Sequence, residues 1–150
     1  MATKLTEHFT LEEMTASQTA SRMGVSNVPS EGSQERKNLQ RTAEVMEKVR
    51  TILDSKPILI SSGYRCPQVN AACGGSSTSA HMSGLAADFT CPGYGTPLDI
   101  CHTLEPCMAD LGIDQLIYEY GDWVHLGLSA GEPRCMAMTI DNSGTYSGIA

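Results

Sequence analysis

The stretch DQLIYEYGDWVHLGLS, residues 114–129, restricts the possible folds more than any other part of the chain. Apolar and polar residues alternate on both sides of Gly121-Asp122, the pattern of two antiparallel strands joined by a tight turn. In the second strand Val124, Leu126 and Leu128 point one way, toward a core. Trp123, His125 and Gly127 point the other way, toward a possible cleft.

A matching apolar surface lies earlier in the chain. From Gln34 to Leu53, the residues Leu39, Met46, Val49 and Leu53 recur at three- and four-residue steps with Ala43 between them. Arg, Lys and Glu fill the other positions, so this is an amphipathic helix. HFTLEEM begins another helix, with Thr10 as cap and Glu13 three residues on, the spacing of a capping box. SRMGVSNVPSEGSQ reads as a loop, marked by Gly24, Asn27, Pro29 and Gly32. Pro57 opens a β-rich run, PILISSGYR. VNAACGGSSTSAHMSG is small and polar and reads as a long loop, and LAADFTC as a strand. TPLDICHTLEPCMADLG is a helix with Pro97 in its first turn, a kink at Pro106 and a stop at Gly112. RCMAMTI adds one more strand, and the last ten residues read as a tail. Helices in front and antiparallel strands behind define an α+β domain, one unit over residues 1–150.

Charge narrows the function. Asp and Glu number 17 against 10 Lys and Arg, a net charge of −7. A nucleic-acid binder would want a basic face, so that reading is disfavoured, as is an electrostatic grip on an anionic wall or membrane. No apolar run approaches the ~20 residues of a membrane span. MATKLTEHFTLEEM has neither a basic nor an apolar leader segment, so the expectation is a protein made in the cytoplasm without a signal peptide. The six cysteines form no CxxC pair, which argues against a zinc ribbon and for reduced, partly buried thiols.

The chemistry concentrates in SAHMSGLAADF, residues 79–89. His81 and Asp88 are seven positions apart. In a helix that step spans ~10 Å, and in one straight strand an odd step puts the two side chains on opposite faces. A turn between them, which Gly84 permits, lets both reach one metal ion. A catalytic zinc usually has three protein ligands and an open position. His8, His102 and His125 are the candidates for the third. His8 lies beside a helix cap and His102 on an amphipathic helix, whereas His125 lies on the cleft face of the hairpin. Asp122, at the turn, could lean over the metal. Each residue also has a plain structural reading: an ordinary histidine, a turn aspartate, a core tryptophan.

SSGYRCPQVNAACGGSSTSAHMSGLAADF followed by DWVHL resembles the M15 family of zinc D-Ala-D-Ala carboxypeptidases and related peptidoglycan endopeptidases. The family pattern SxHxxGxAxD falls on Ser79, His81, Gly84, Ala86 and Asp88, the carboxylate-x-x-His on Asp122 and His125, and the SGYR arginine on Arg65. The resemblance implies a hedgehog/D,D-peptidase-like fold, an antiparallel sheet with N-terminal helices on one side and a zinc groove on the other. It implies Zn2+ held by His81, Asp88 and His125, with Asp122 as catalytic acid/base and Arg65 stabilising an oxyanion or substrate carboxylate. Ser79 and Trp123 become substrate-binding residues, and Glu119 is the rival base. Some relatives carry a histidine where this chain has Trp123, so no role for it transfers, and the six cysteines lie outside the pattern.

The implied substrate is a peptidoglycan stem peptide. HFTLEEM…SRMGV…P also resembles phage and prophage members, so the expected role is an endolysin acting on the cell wall from the periplasm. A virion-associated protein with other virion proteins as partners, or a cytosolic D-Ala-D-Ala dipeptidase, stands as the alternative. No nucleic-acid partner and no membrane span are expected.

Overall fold

The computed structural model describes residues 3–150; the first two residues of the expected single-domain span lie outside the described residues. Three helices come first: α1 (Leu11–Thr15), α2 (Gln18–Met23) and α3 (Gln34–Ile52). Strand β1 (Leu59–Ser62) and helix α4 (Pro67–Ala72) follow. A 3-10 turn at Ala80–Ser83 leads into β2 (Ala86–Thr90). Helix α5 (Pro97–Leu104), a 3-10 turn at Glu105–Cys107 and helix α6 (Met108–Leu111) precede the remaining strands. These are β3 (Gln115–Glu119), β4 (Trp123–Gly127), β5 (Met136–Asp141) and β6 (Gly144–Ser147).

The local rules account for many of the boundaries. Thr10 and Glu13 form the reciprocal capping box, with Glu13 N–H donating to Thr10 Oγ1 at 3.1 Å and Thr10 N–H to Glu13 Oε1 at 2.8 Å. Thr96 and Asp99 form a second one at the start of α5, where Pro97 takes the first helical position. Pro106 lacks a backbone N–H, and the helix tightens to a 3-10 turn around it before resuming as α6. Gly112, at φ 71°, ends α6.

The six strands form one sheet in the order β1-β2-β4-β3-β5-β6. Its inner face joins Ala87, Phe89, Leu116, Val124 and Leu126 to a single core with Leu39, Met46, Val49 and Leu53 of the α3 region and Ile100 and Leu104 of α5. The apolar alternation of β4 and the stripe of α3 are thus two halves of one buried contact. Among the described residues no helix is long and apolar enough to cross a membrane.

Four expectations need correction. The sheet is not wholly antiparallel, because β5 runs parallel to β3. The segment after β4 crosses back to the start of β3, anchored by Asp114, whose carboxylate accepts from Arg134 N–H at 2.7 Å and whose carbonyl accepts from Met136 N–H at 2.8 Å. The last ten residues are not a bare tail, since β6 pairs antiparallel with β5 across a turn where Ser143 N–H donates to Asp141 Oδ1. β6 is exposed along its whole length, so no apolar alternation marks it. The expected loops are also shorter: Ser17 caps α2, and Pro67 starts α4 within the small-residue stretch. Finally, the hairpin turns one residue early, on Tyr120 (φ 56°) and Gly121 (φ 68°), with Asp122 N–H donating to Glu119 O.

Candidate metal centre

Pairing between strands places two of the three candidate ligands. Asp88 of β2 and His125 of β4 are direct antiparallel partners, so their side chains stand side by side on the outer face of the sheet. His125 Nδ1 lies 2.8 Å from Asp88 Oδ1. His81 comes from the 3-10 turn that precedes β2. Ser79 Oγ accepts from His81 N–H at 3.2 Å at the start of that turn, and Gly84, at φ 78°, closes it. His81 Nδ1–H donates to Gly63 O at 2.7 Å, which leaves Nε2 free to face Asp88 Oδ1 at 3.3 Å.

The donor set fits a zinc ion. Zinc holds nitrogen and oxygen ligands at ~2.0–2.2 Å, so tetrahedral donors stand about 3.3–3.6 Å apart. One donor atom from each of His81, Asp88 and His125 lies within 4.8 Å of the others. The Gly63 carbonyl behind His81 is the kind of outer partner that fixes an imidazole's tautomer and direction. Both histidines are buried, at 2% and 8% exposure, so a cation here would be held largely away from bulk water. Burial pushes the Asp88 carboxyl up, but hydrogen bonds from His125 and His81, with their charge, outweigh it and hold Asp88 well below the usual carboxylate range.

The other expected residues divide. Arg65, Ser79 and Trp123 line the same cleft of about 810 Å³ as His81, Asp88 and His125. Arg65 Nη2–H donates to Ser79 Oγ at 3.1 Å, so Ser79 both starts the His81 turn and steadies the guanidinium. Arg65 Nε and Trp123 Nε1 are buried without a hydrogen-bond partner. Asp122 is exposed in the hairpin loop and does not line the cleft.

Glu119 does line it, 3.7 Å from His125 Nδ1. Burial pushes the Glu119 carboxyl up; the histidines and Arg65 pull it down, while Asp88 raises it further. His8 instead pairs with Glu47 at 2.8 Å, and His102 is exposed on α5. All six cysteines are free, and burial pushes the Cys101 thiol up to about 12.

Sequence reading did not anticipate that Asp114, Gln115 and Arg134 line the same cleft. Arg134 forks onto Asp114, with Nε–H and Nη2–H donating at 3.0 and 2.7 Å. The signal for this pair lay in the crossover, which no periodicity marks.

Two imidazoles and a carboxylate converge in a cleft beside an arginine and a second carboxylate, a donor set that could hold a metal ion. The family model described as Peptidase M15 matches residues 7–127, and the chain belongs to that family. Membership indicates a metallopeptidase, in a family whose activity depends on zinc. A comparison with curated protein sequences finds no match.

Proposed function

We propose that the protein hydrolyses peptide bonds in peptidoglycan stem peptides, with Zn2+ held by His81, Asp88 and His125. The observation that carries this reading is the convergence of those three donors in a cleft that also presents Arg65 and Glu119. When bound, zinc supplies a Lewis acid that polarises a peptide carbonyl and acidifies water.

The chain's own residues supply the rest. Arg65, held by Ser79, offers an unpartnered Nε–H to the developing oxyanion or to a substrate carboxylate. Glu119 is the base we favour over Asp122, because it lies in the cleft beside His125 while Asp122 faces solvent. Its carboxylate takes a proton from the attacking water and returns it to the leaving amine; a carboxyl whose affinity for protons is raised by burial suits both halves of that transfer. Trp123 forms a wall of the cleft against which the substrate packs.

The hedgehog/D,D-peptidase-like architecture belongs to the same proposal and is supported by core helices on one sheet face and donors on the other. We read the biological setting as a phage or prophage endolysin reaching the wall from the periplasm, on the resemblance of the N-terminal segment to phage members. Mass spectrometry of muropeptides after digestion of purified sacculi tests both substrate and bond. Hydrolysis of soluble D-Ala-D-Ala with intact sacculi would turn the reading to a cytosolic dipeptidase. Recovery of the protein in purified phage particles would turn it to a virion component.

A further inference from the structure

The crossover between β4 and β5 forms a wall of the cleft, to which it contributes Ser129, Ala130 and Arg134. The segment is tied at both ends. Arg41 of α3 donates from Nη1–H to Ser129 O at 2.7 Å, and Arg134 N–H donates to Asp114 Oδ1 at 2.7 Å. It lies beyond residue 127, where the family match ends.

Arg65 and Arg134 are the two guanidinium groups of the cleft. Arg65 stands beside the centre, its backbone N–H donating to His81 O. Arg134 is held further along the sheet. Ile117 is level with His125 and Asp88, and Asp114 precedes it by three residues, ~10 Å at the rise of a strand. Glu119 lies in the opposite direction along β3. A peptide laid along β3 across the centre therefore meets a carboxylate toward one end and a cation toward the other.

The way Arg134 is held suits it to recognition. The Asp114 side chain is 8% exposed and the Arg134 side chain 58%, so a buried carboxylate anchors a guanidinium that projects into the cleft. Nε–H and one N–H of Nη2 are engaged by Asp114. The Nη1 group and the outer N–H of Nη2, which together form a second fork, have no partner among the described residues. Such a fork matches a carboxylate in two parallel hydrogen bonds. Asp114 cancels the charge of the pair at a distance, so the fork selects at contact range and by geometry.

We infer that Arg134 is a specificity-determining residue that binds a carboxylate of the substrate about three residues from the scissile bond, with Asp114 as its positioning residue. The inference rests on the peptidase reading above. The carboxylate is either an internal one of the stem peptide or its chain terminus, and the two are separated by the substrates chosen.

The test uses the zinc-loaded full chain and three forms of one stem peptide: all carboxylates free, the internal ones amidated, and the terminal one alone amidated. Native protein should cut one amidated form with kcat/KM about tenfold below that of the free acid, the scale of a charged hydrogen bond in a half-open site. Which form it is assigns the carboxylate. In Arg134→Gln the ratio between the free acid and that amide should collapse to about one. Arg134→Lys, which keeps the charge without the fork, should fall between. Each ratio is taken within one variant, so any general loss of activity or fold cancels from it. Calorimetric binding of the product that retains the carboxylate should follow the same order without turnover. A ratio near one in native protein, or an amide penalty that survives in Arg134→Gln, would overturn the assignment while leaving the peptidase reading intact. Failure to cut any of the three peptides would remove that reading and this inference with it.

Discussion

Gly84→Ala perturbs the turn that delivers His81, and its cost can be worked from the geometry. Gly84 has φ 78°, a left-handed conformation that costs an L residue ~1–2 kcal/mol. An added Cβ would stand 2.5 Å from Glu35 O and 3.1 Å from Leu39 N, both backbone atoms of α3. Backbone in a core helix cannot swing aside as a side chain can, so overpacking adds ~1–3 kcal/mol. Gly24, the C-cap of α2, has φ 69° with nothing within 4 Å of its Cβ position. Gly24→Ala therefore carries the conformational cost alone, and the difference between the two variants isolates the steric one. At ~2–4 °C per kcal/mol for a domain of this size, Gly84→Ala should melt about 2–12 °C below Gly24→Ala. The same comparison by urea unfolding should show a lower midpoint with an unchanged slope. Gly84 O accepts from Thr42 Oγ1 at 2.6 Å, so displacing the turn moves His81 relative to Asp88. Zinc affinity should fall in Gly84→Ala and stay unchanged in Gly24→Ala. Equal melting temperatures for the two would refute the close-approach argument.

Other outcomes follow from the same geometry. Native protein should carry one zinc per chain by elemental analysis, and His81→Ala or His125→Ala should lose it; full occupancy in either would remove that residue from the ligand set. Glu119→Gln should cut turnover ~10²–10⁴-fold with zinc retained, whereas Asp122→Asn should leave the rate near that of the unaltered protein. The reverse pattern would restore Asp122 as base. Arg65→Lys keeps the charge but loses the planar guanidinium, so kcat/KM should fall sharply with little change in melting temperature. Hydrogen bonds from Arg134 chiefly hold the Asp114 carboxyl below its ordinary value, so their stabilisation is present above the unfolded pKa of ~3.9 and lost as pH falls through the lower, folded one. The stability gap between native protein and Arg134→Ala should therefore be small at neutral pH, since Arg134 is largely exposed, and should shrink further below about pH 4. A gap that persists at low pH would assign the effect to packing.

Much of the chain was legible because several kinds of local rule agree along it. The stripe from Leu39 to Leu53, the Thr10 and Thr96 region starts, Pro97 and Gly112 all act within a few residues, and each boundary falls within a residue or two of its signal. The His81–Asp88 step was readable for a related reason, since only a turn reconciles an odd spacing with a shared site. What stayed hidden depends on distant contacts. The parallel pairing of β5 with β3 is accompanied by Asp114 accepting from Arg134 twenty residues away, and nothing local to either residue announces it. Likewise β6 has an exposed face on both sides, so its sequence carries no alternation.

The choice between Glu119 and Asp122 turns on the parity rule that explained His81 and Asp88. Asp88, His125 and Ile117 lie in one row across β2, β4 and β3. Side chains two residues along a strand share a face. Glu119, two after Ile117, and Trp123, two before His125, therefore rise on the same outer face and are themselves direct partners. Asp122 is an odd step from His125, so a regular strand would point it inward, and the left-handed residues Tyr120 and Gly121 instead leave it in the exposed loop. The turn closes on Tyr120 and Gly121, one residue earlier than expected, and Asp122 follows it in the exposed loop. Glu119 is a diagonal neighbour of His125, roughly 7–8 Å away at the backbone, a gap that the long glutamate side chain closes to 3.7 Å. Glu119→Asp keeps the charge and the face but shortens the reach by one methylene. If position on the sheet sets the function, that variant should fall well below the native rate and Glu119→Gln lower still, with zinc content unchanged in both. A Glu119→Asp variant as active as the native protein would mean that reach from this row is not what matters, and would undercut the parity argument itself.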